Sequence, residues 1–327
     1  MTNHADAMNT EAATPASSHR AALADGGIET ALTDRLGQDL PEFAAFVLLN
    51  TVEGREALRE YYRPFVALAA EHGMPLVLDT PTWRANPDWG ALVGADAAAL
   101  ERANADAVAL VREIAAEGEP AADSETVAAA AGSGTAIETL VNGCVGPRFD
   151  EYNAAERMTE GEAETYHSAQ VTALAEAGAD RVTAVTMLDA AEAIGVVRAA
   201  QAARIPVAVS FAVDADGKLG DGSSVADAIA ATDAATDAAA EGFLINCAHP
   251  SEVARGLTAD AGSAALERLI GFRLNAAEHG DEGAGDDPAA FAEGEAALRS
   301  SAPNAVVFGG CCGTDVPHIA ALADAVR

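Results

Sequence analysis

The chain has 327 residues, with 51 Asp and Glu against 19 Lys and Arg, a formal net charge of −32. Half of it is apolar, enough to bury a large core, which excludes a disordered acidic tail protein. The acidic balance excludes nucleic acid as a partner, and no run of about 18 apolar residues marks a membrane span. Lys218 is the single lysine. So dense a carboxylate shell suits a protein bathed in concentrated salt, where self-repulsion is screened within a few ångströms.

Residues 1–20 are polar and lack both periodicity and an apolar segment. They are expected to form a flexible tail rather than a secretory leader, and the protein is expected to be cytoplasmic. From 21 to 327 the chain reads as one unit. Short apolar runs predict strands at 21–25, 75–80, 136–143, 181–186, 205–211, 242–246, 269–274 and 304–309. Ala-rich stretches with 3.6-residue spacing predict helices at 54–72, 97–117, 159–177, 189–203, 224–240, 287–300 and 315–326. Thr159 followed by Glu162, and Ser251 ahead of Glu252, read as helix starts. The stretch 279–288 reads as an acidic, Gly-rich loop.

Strands that are continuous rather than alternating in hydrophobicity belong to a parallel sheet covered by helices. Eight such units in this length suit a single closed (β/α)8 TIM barrel. An open doubly wound sheet lacks its usual signature, since no GxGxxG follows the first strand.

Functional groups of such a barrel sit at the C-terminal ends of its strands. Asp25, Thr80, Cys144, Thr186, Cys247 and the Cys311–Cys312 pair all fall at those ends, so all four cysteines share one face. A bridge between adjacent Cys311 and Cys312 would be strained, and the absence of any CxxC disfavours a zinc ribbon. Cys247, Cys311 and Cys312 can supply three thiolates to Zn²⁺ and leave a fourth position open, as catalytic rather than structural zinc sites do. Spacing alone leaves the alternative open that they are buried apolar cysteines.

Five motifs narrow the choice: Asp25-Gly26-Gly27; Thr80-Pro81-Thr82-Trp83; Gly143-Cys144-Val145-Gly146-Pro147; Asn246-Cys247; and Gly309-Gly310-Cys311-Cys312-Gly313-Thr314 followed by His318. In this combination and order, over about residues 21 to 326, the chain resembles the homocysteine S-methyltransferase family. The resemblance implies a zinc site at Cys247, Cys311 and Cys312. It also implies substrate contacts from Asp25, Gly26, Gly27, Thr82, Trp83, Thr186 and Asn246. The implied reaction moves a methyl group from an activated donor to a thiol such as homocysteine, giving methionine. A sulfonium or betaine-type donor fits, with the Trp83 ring as a face for its positive charge; folate and cobalamin modules have no room in 327 residues.

One departure stands out. The family's Phe-Glu-Thr after strand four, whose glutamate helps to hold the acceptor's amino group, reads Ala184-Val185-Thr186 here, and Val185 takes the carboxylate position. Either another acid compensates (Asp25, Glu29 or Asp189), or the acceptor is not homocysteine. His249, His318 and Asn275 read equally as structural residues, and Cys144, a serine in the family, as a free thiol. A zinc hydrolase or lyase and a vicinal-thiol metal or redox sensor are the competing readings of the cysteines alone. The partners expected are small molecules, with neither nucleic acid nor membrane; a homo-oligomer is allowed but not indicated.

Overall fold

The computed structural model describes residues 20–117, 137–149, 156–281 and 283–327; the proposed tail, Arg20 apart, lies outside them. Eight parallel strands follow one another around a closed barrel: β1 (Ala22–Ala24), β2 (Leu76–Asp79), β3 (Thr139–Val145), β4 (Arg181–Met187), β5 (Val207–Ala212), β6 (Phe243–Asn246), β7 (Leu269–Leu274) and β8 (Val307–Gly310). β8 pairs back onto β1, Ala22 opposite Val307. The strands lie within three residues of their predicted places, because a strand covered by helices on one side and packed inside on the other must be apolar along its length.

Eight long helices cover the barrel: α1 (Val52–His72), α2 (Ala97–Glu117), α3 (Glu160–Glu176), α4 (Ala190–Ala203), α5 (Val225–Thr236), α6 (Pro250–Ala259), α7 (Pro288–Ala297) and α8 (Val316–Ala325). Thr159 caps α3 in a reciprocal box with Glu162, as expected. Helix α6 was not among the predicted helices, and its cap is His249 rather than Ser251, again boxed with Glu252. An imidazole is an uncommon cap, so the start read two residues late. A short helix, Pro87–Leu92, was also unpredicted.

Two apolar layers hold the barrel. Outside it, Leu76, Leu78, Phe211, Phe243, Phe272 and Phe308 point at the helices and are almost wholly buried, each contributing roughly 1.5–3 kcal/mol by leaving water. Inside it, a smaller cluster of Ala24, Val77, Ala208, Leu244 and Val307 fills the space. No helix among the described residues is long and apolar enough to cross a membrane.

The surface pairs many arginines with acids: Arg55–Asp106, Arg59–Glu113 and Arg63–Glu117 run as a ladder between α1 and α2. Exposed pairs of this kind stabilise weakly, and 51 acids against 19 bases leave most carboxylates facing like charge. Stability is therefore expected to rise as salt is raised to molar concentration, where the screening length is about 3 Å. Urea midpoints that do not move with salt would refute this.

Candidate active site

An arginine in the run Leu269-Ile270-Gly271-Phe272-Arg273-Leu274 is out of place unless it finds partners inside the barrel. Arg273 does: one guanidinium nitrogen meets the Asp79 carboxylate on β2 and another meets Asp25 after β1. Tyr61 of α1 closes the group, its hydroxyl 2.9 Å from the Gly26 carbonyl oxygen and 3.3 Å from Asp25 Oδ2. Asp79 also accepts from Asn142 Nδ2 at 2.5 Å, and Asn142 Oδ1 accepts from Arg181 and Thr183. One guanidinium serves two buried carboxylates. Burial, only partly offset by that guanidinium and aggravated by Asp79, raises Asp25 to about 7.

A second polar chain runs towards the cysteines. Asn246 Oδ1 accepts from Ser210 Oγ at 2.6 Å and from the Thr186 backbone N–H at 3.0 Å, and its Nδ2 donates to Thr186 Oγ1 at 2.8 Å. Thr186 Oγ1 lies 3.8 Å from Cys247 Sγ. Thr186 and Cys247 both have positive φ, 65° and 54°. A β-branched residue rarely adopts that conformation, and such strain persists where the surroundings over-determine it.

Cys247, Cys311 and Cys312 bring their sulfur atoms within 4.8 Å of one another, with Cys247 and Cys311 2.8 Å apart. Backbone bonds lock the trio: Cys247 N–H to Arg273 O at 3.3 Å, Cys311 N–H to Leu274 O at 2.7 Å, and Cys312 N–H to Asn275 Oδ1 at 3.1 Å. Hydrogen bonds from its two neighbours hold the Cys247 thiol well below its ordinary range, and theirs are correspondingly raised. Three soft sulfur donors converging at a barrel mouth fit Zn²⁺, and the described residues contain no other such group of metal-binding side chains.

The β1 and β8 loops meet with almost no clearance. Gly27 N–H bonds Thr314 O at 3.3 Å, and a Cβ on Gly27 would collide with the Cys311 carbonyl oxygen. Gly27→Ala must therefore push the cysteine loop aside, at about 1–3 kcal/mol of overpacking. It is expected to lower zinc content as well as the thermal midpoint; full zinc content in the variant would show the loops to be independent.

Above the cysteines lies a cavity of about 280 Å³, at the small end of small-molecule sites. Its wall includes Gly26, Gly27, Glu29, Phe43, Thr80, Trp83, Arg84, Cys144, Val185, Thr186, Asn246, Arg273 and all three clustered cysteines. Two of the expected substrate residues do not reach it. Asp25 is fully buried behind the wall against Arg273. Thr82 is buried too, its hydroxyl 2.7 Å from both Thr80 Oγ1 and Cys144 O, so it braces the wall that Thr80 presents. Trp83 lines the cavity, and the Arg84 guanidinium sits 4.3 Å from its ring centre and 3.4 Å from that of Trp89. Cys144 lines the cavity with its thiol raised well above the usual range by burial. His249 caps α6 and bonds Asp286 at 3.0 Å, and His318 caps the α8 start through the Asp315 N–H, both structural. Arg273 is the residue whose importance sequence reasoning missed, the charge inside an apolar strand being the available signal; Asn275 satisfies a backbone group, the Cys312 N–H, as one of its two readings had it.

Desolvation, with help from Cys311 and Asp25, raises Glu29 to about 8. A carboxyl raised on folding contributes stability that is complete below about pH 4.5 and lost as pH rises through 8. The metal-free Glu29→Gln variant is accordingly expected to gain on the wild type between pH 5 and 9 in urea unfolding; parallel pH curves would contradict this.

A family model described as homocysteine S-methyltransferase matches residues 22–326. The chain belongs to the homocysteine S-methyltransferase family. Among solved structures it is similar to the homocysteine methyltransferase MmuM from Escherichia coli. The metallated form matches at 24% identity and TM-score 0.70, and the oxidized form at 25% and 0.71. Each match covers 94% of this chain and 96% of the other. No curated protein sequence matches. This homocysteine S-methyltransferase family member is therefore a methyltransferase, which replaces the hydrolase and sensor readings that the cysteines alone allowed.

Proposed function

We propose that this methyltransferase binds one Zn²⁺ through Cys247, Cys311 and Cys312 and moves a methyl group from a sulfonium or betaine-type donor to homocysteine, giving methionine. The observation that carries the proposal is the convergence of three sulfur atoms within 4.8 Å at the end of a cavity. The existence of a metallated form of MmuM is consistent with it.

A bound Zn²⁺ would hold the acceptor sulfur as the reactive thiolate at neutral pH, where a free thiol is mostly protonated. The protein's own residues do the positioning. Asn246 holds Thr186, whose hydroxyl lies 3.8 Å from Cys247 Sγ, and Asn275 fixes Cys312. Trp83 and Phe43 line the cavity and offer aromatic faces to a cationic methyl donor. Orientation of two reactants in this way supplies up to roughly 7–11 kcal/mol of a barrier. Thiols with no disulfide among the described residues fit a reducing, cytoplasmic setting.

The test is methionine formation from homocysteine by zinc-loaded protein in high salt, with S-methylmethionine, S-adenosylmethionine and betaine as alternative donors. Methionine is expected with at least one of them. Its absence with all three would overturn the proposal.

A further inference from the structure

Three acids were candidates to replace the carboxylate missing at Val185, which itself lines the cavity. Asp25 lies behind the wall, engaged by Arg273 and Tyr61. Asp189 caps α4, its side chain accepting from Glu192 N–H at 2.9 Å, and does not line the cavity. Asp79 does line it, but is held by Arg273 and Asn142. Glu29 remains. It lines the cavity, and among the described residues its carboxylate has neither an ion pair nor a hydrogen bond to another residue's side chain. It sits two residues beyond Gly27, which packs against the Cys311 carbonyl, so it flanks the sulfur end of the cavity.

We infer that Glu29 is the specificity-determining carboxylate of this enzyme, receiving the primary ammonium group of an α-amino-acid thiol whose sulfur lies at the three cysteines. The inference rests on the proposed transfer to a thiol. An ammonium group donates N–H bonds that a carboxylate can accept, whereas a sulfonium or quaternary ammonium centre has none to give. Arg84 places a positive charge on the same cavity wall, so the cavity presents both signs to a zwitterion. Burial raises the Glu29 carboxyl to about 8 and Arg84 offsets this only in part, so it gains from a further cation that arrives with the ligand.

The experiment is calorimetric titration of the zinc-loaded full chain with L-homocysteine and with 4-mercaptobutanoate, which lacks only the amino group. Neither requires a methyl donor. Wild type is expected to prefer homocysteine by about 10- to 100-fold, the range of a charge-assisted hydrogen bond, and Glu29→Gln to abolish most of that preference. The retained affinity for 4-mercaptobutanoate shows that the variant is folded. A preference equal in the two proteins, or none in wild type, overturns the inference while leaving thiol methylation standing. Wild type that binds neither thiol overturns both.

Discussion

Replacing Arg273 with methionine is expected to cost about 3–5 kcal/mol of folding stability, the range for breaking a buried ion pair by removing one partner. The guanidinium is the shared cation of Asp25 and Asp79, both buried at the barrel mouth. Without it, each carboxylate stays out of water with only neutral donors: Tyr61 for Asp25 and Asn142 for Asp79. The two acids would then repel each other and take up protons, so the loss should be smaller at acid pH. The double variant Arg273→Met with Asp25→Asn should recover part of it by removing one of the two charges. Urea unfolding measures all three proteins. A loss below about 1 kcal/mol for the single variant, the value of an exposed pair, would show that Arg273 is not the cation on which the barrel mouth depends.

Single Cys247→Ser, Cys311→Ser and Cys312→Ser changes are each expected to strip most of the zinc and to abolish methyl transfer, a loss of at least about a thousandfold. A hydroxyl replaces a thiolate donor with one that stays protonated and binds Zn²⁺ poorly. Cys144→Ser is the matched control. Cys144 lines the same cavity but lies outside the three-sulfur group, and its thiol is kept neutral by burial. That variant should keep its metal and most of its activity. Zinc analysis and methionine formation on the four variants decide the matter, and loss of metal in Cys144→Ser alone would reverse the ligand assignment.

The barrel was readable because its strands are apolar on both faces and its helices begin at recognisable caps such as Thr159. The cysteine trio was readable because residues at the ends of parallel strands are brought to one rim whatever lies between them. What was not readable depends on where a side chain turns after the strand ends. Thr80 and Thr82 are two residues apart, yet Thr80 faces the cavity while Thr82 is bonded behind it. Asp25 was named through the Asp25-Gly26-Gly27 motif; its engagement by Arg273, 248 positions away in sequence, could not be read from that motif. His249, two residues after Cys247, had a structural and a site reading, and the fold makes it a helix cap.

The most direct test of zinc-dependent thiol methylation is one purified sample assayed before chelation, after chelation and after zinc is returned. About one zinc per chain is expected at the start, with methionine formed from homocysteine. Both should be lost on chelation and both restored by Zn²⁺. Methionine formation that continues undiminished in metal-free protein would contradict the account.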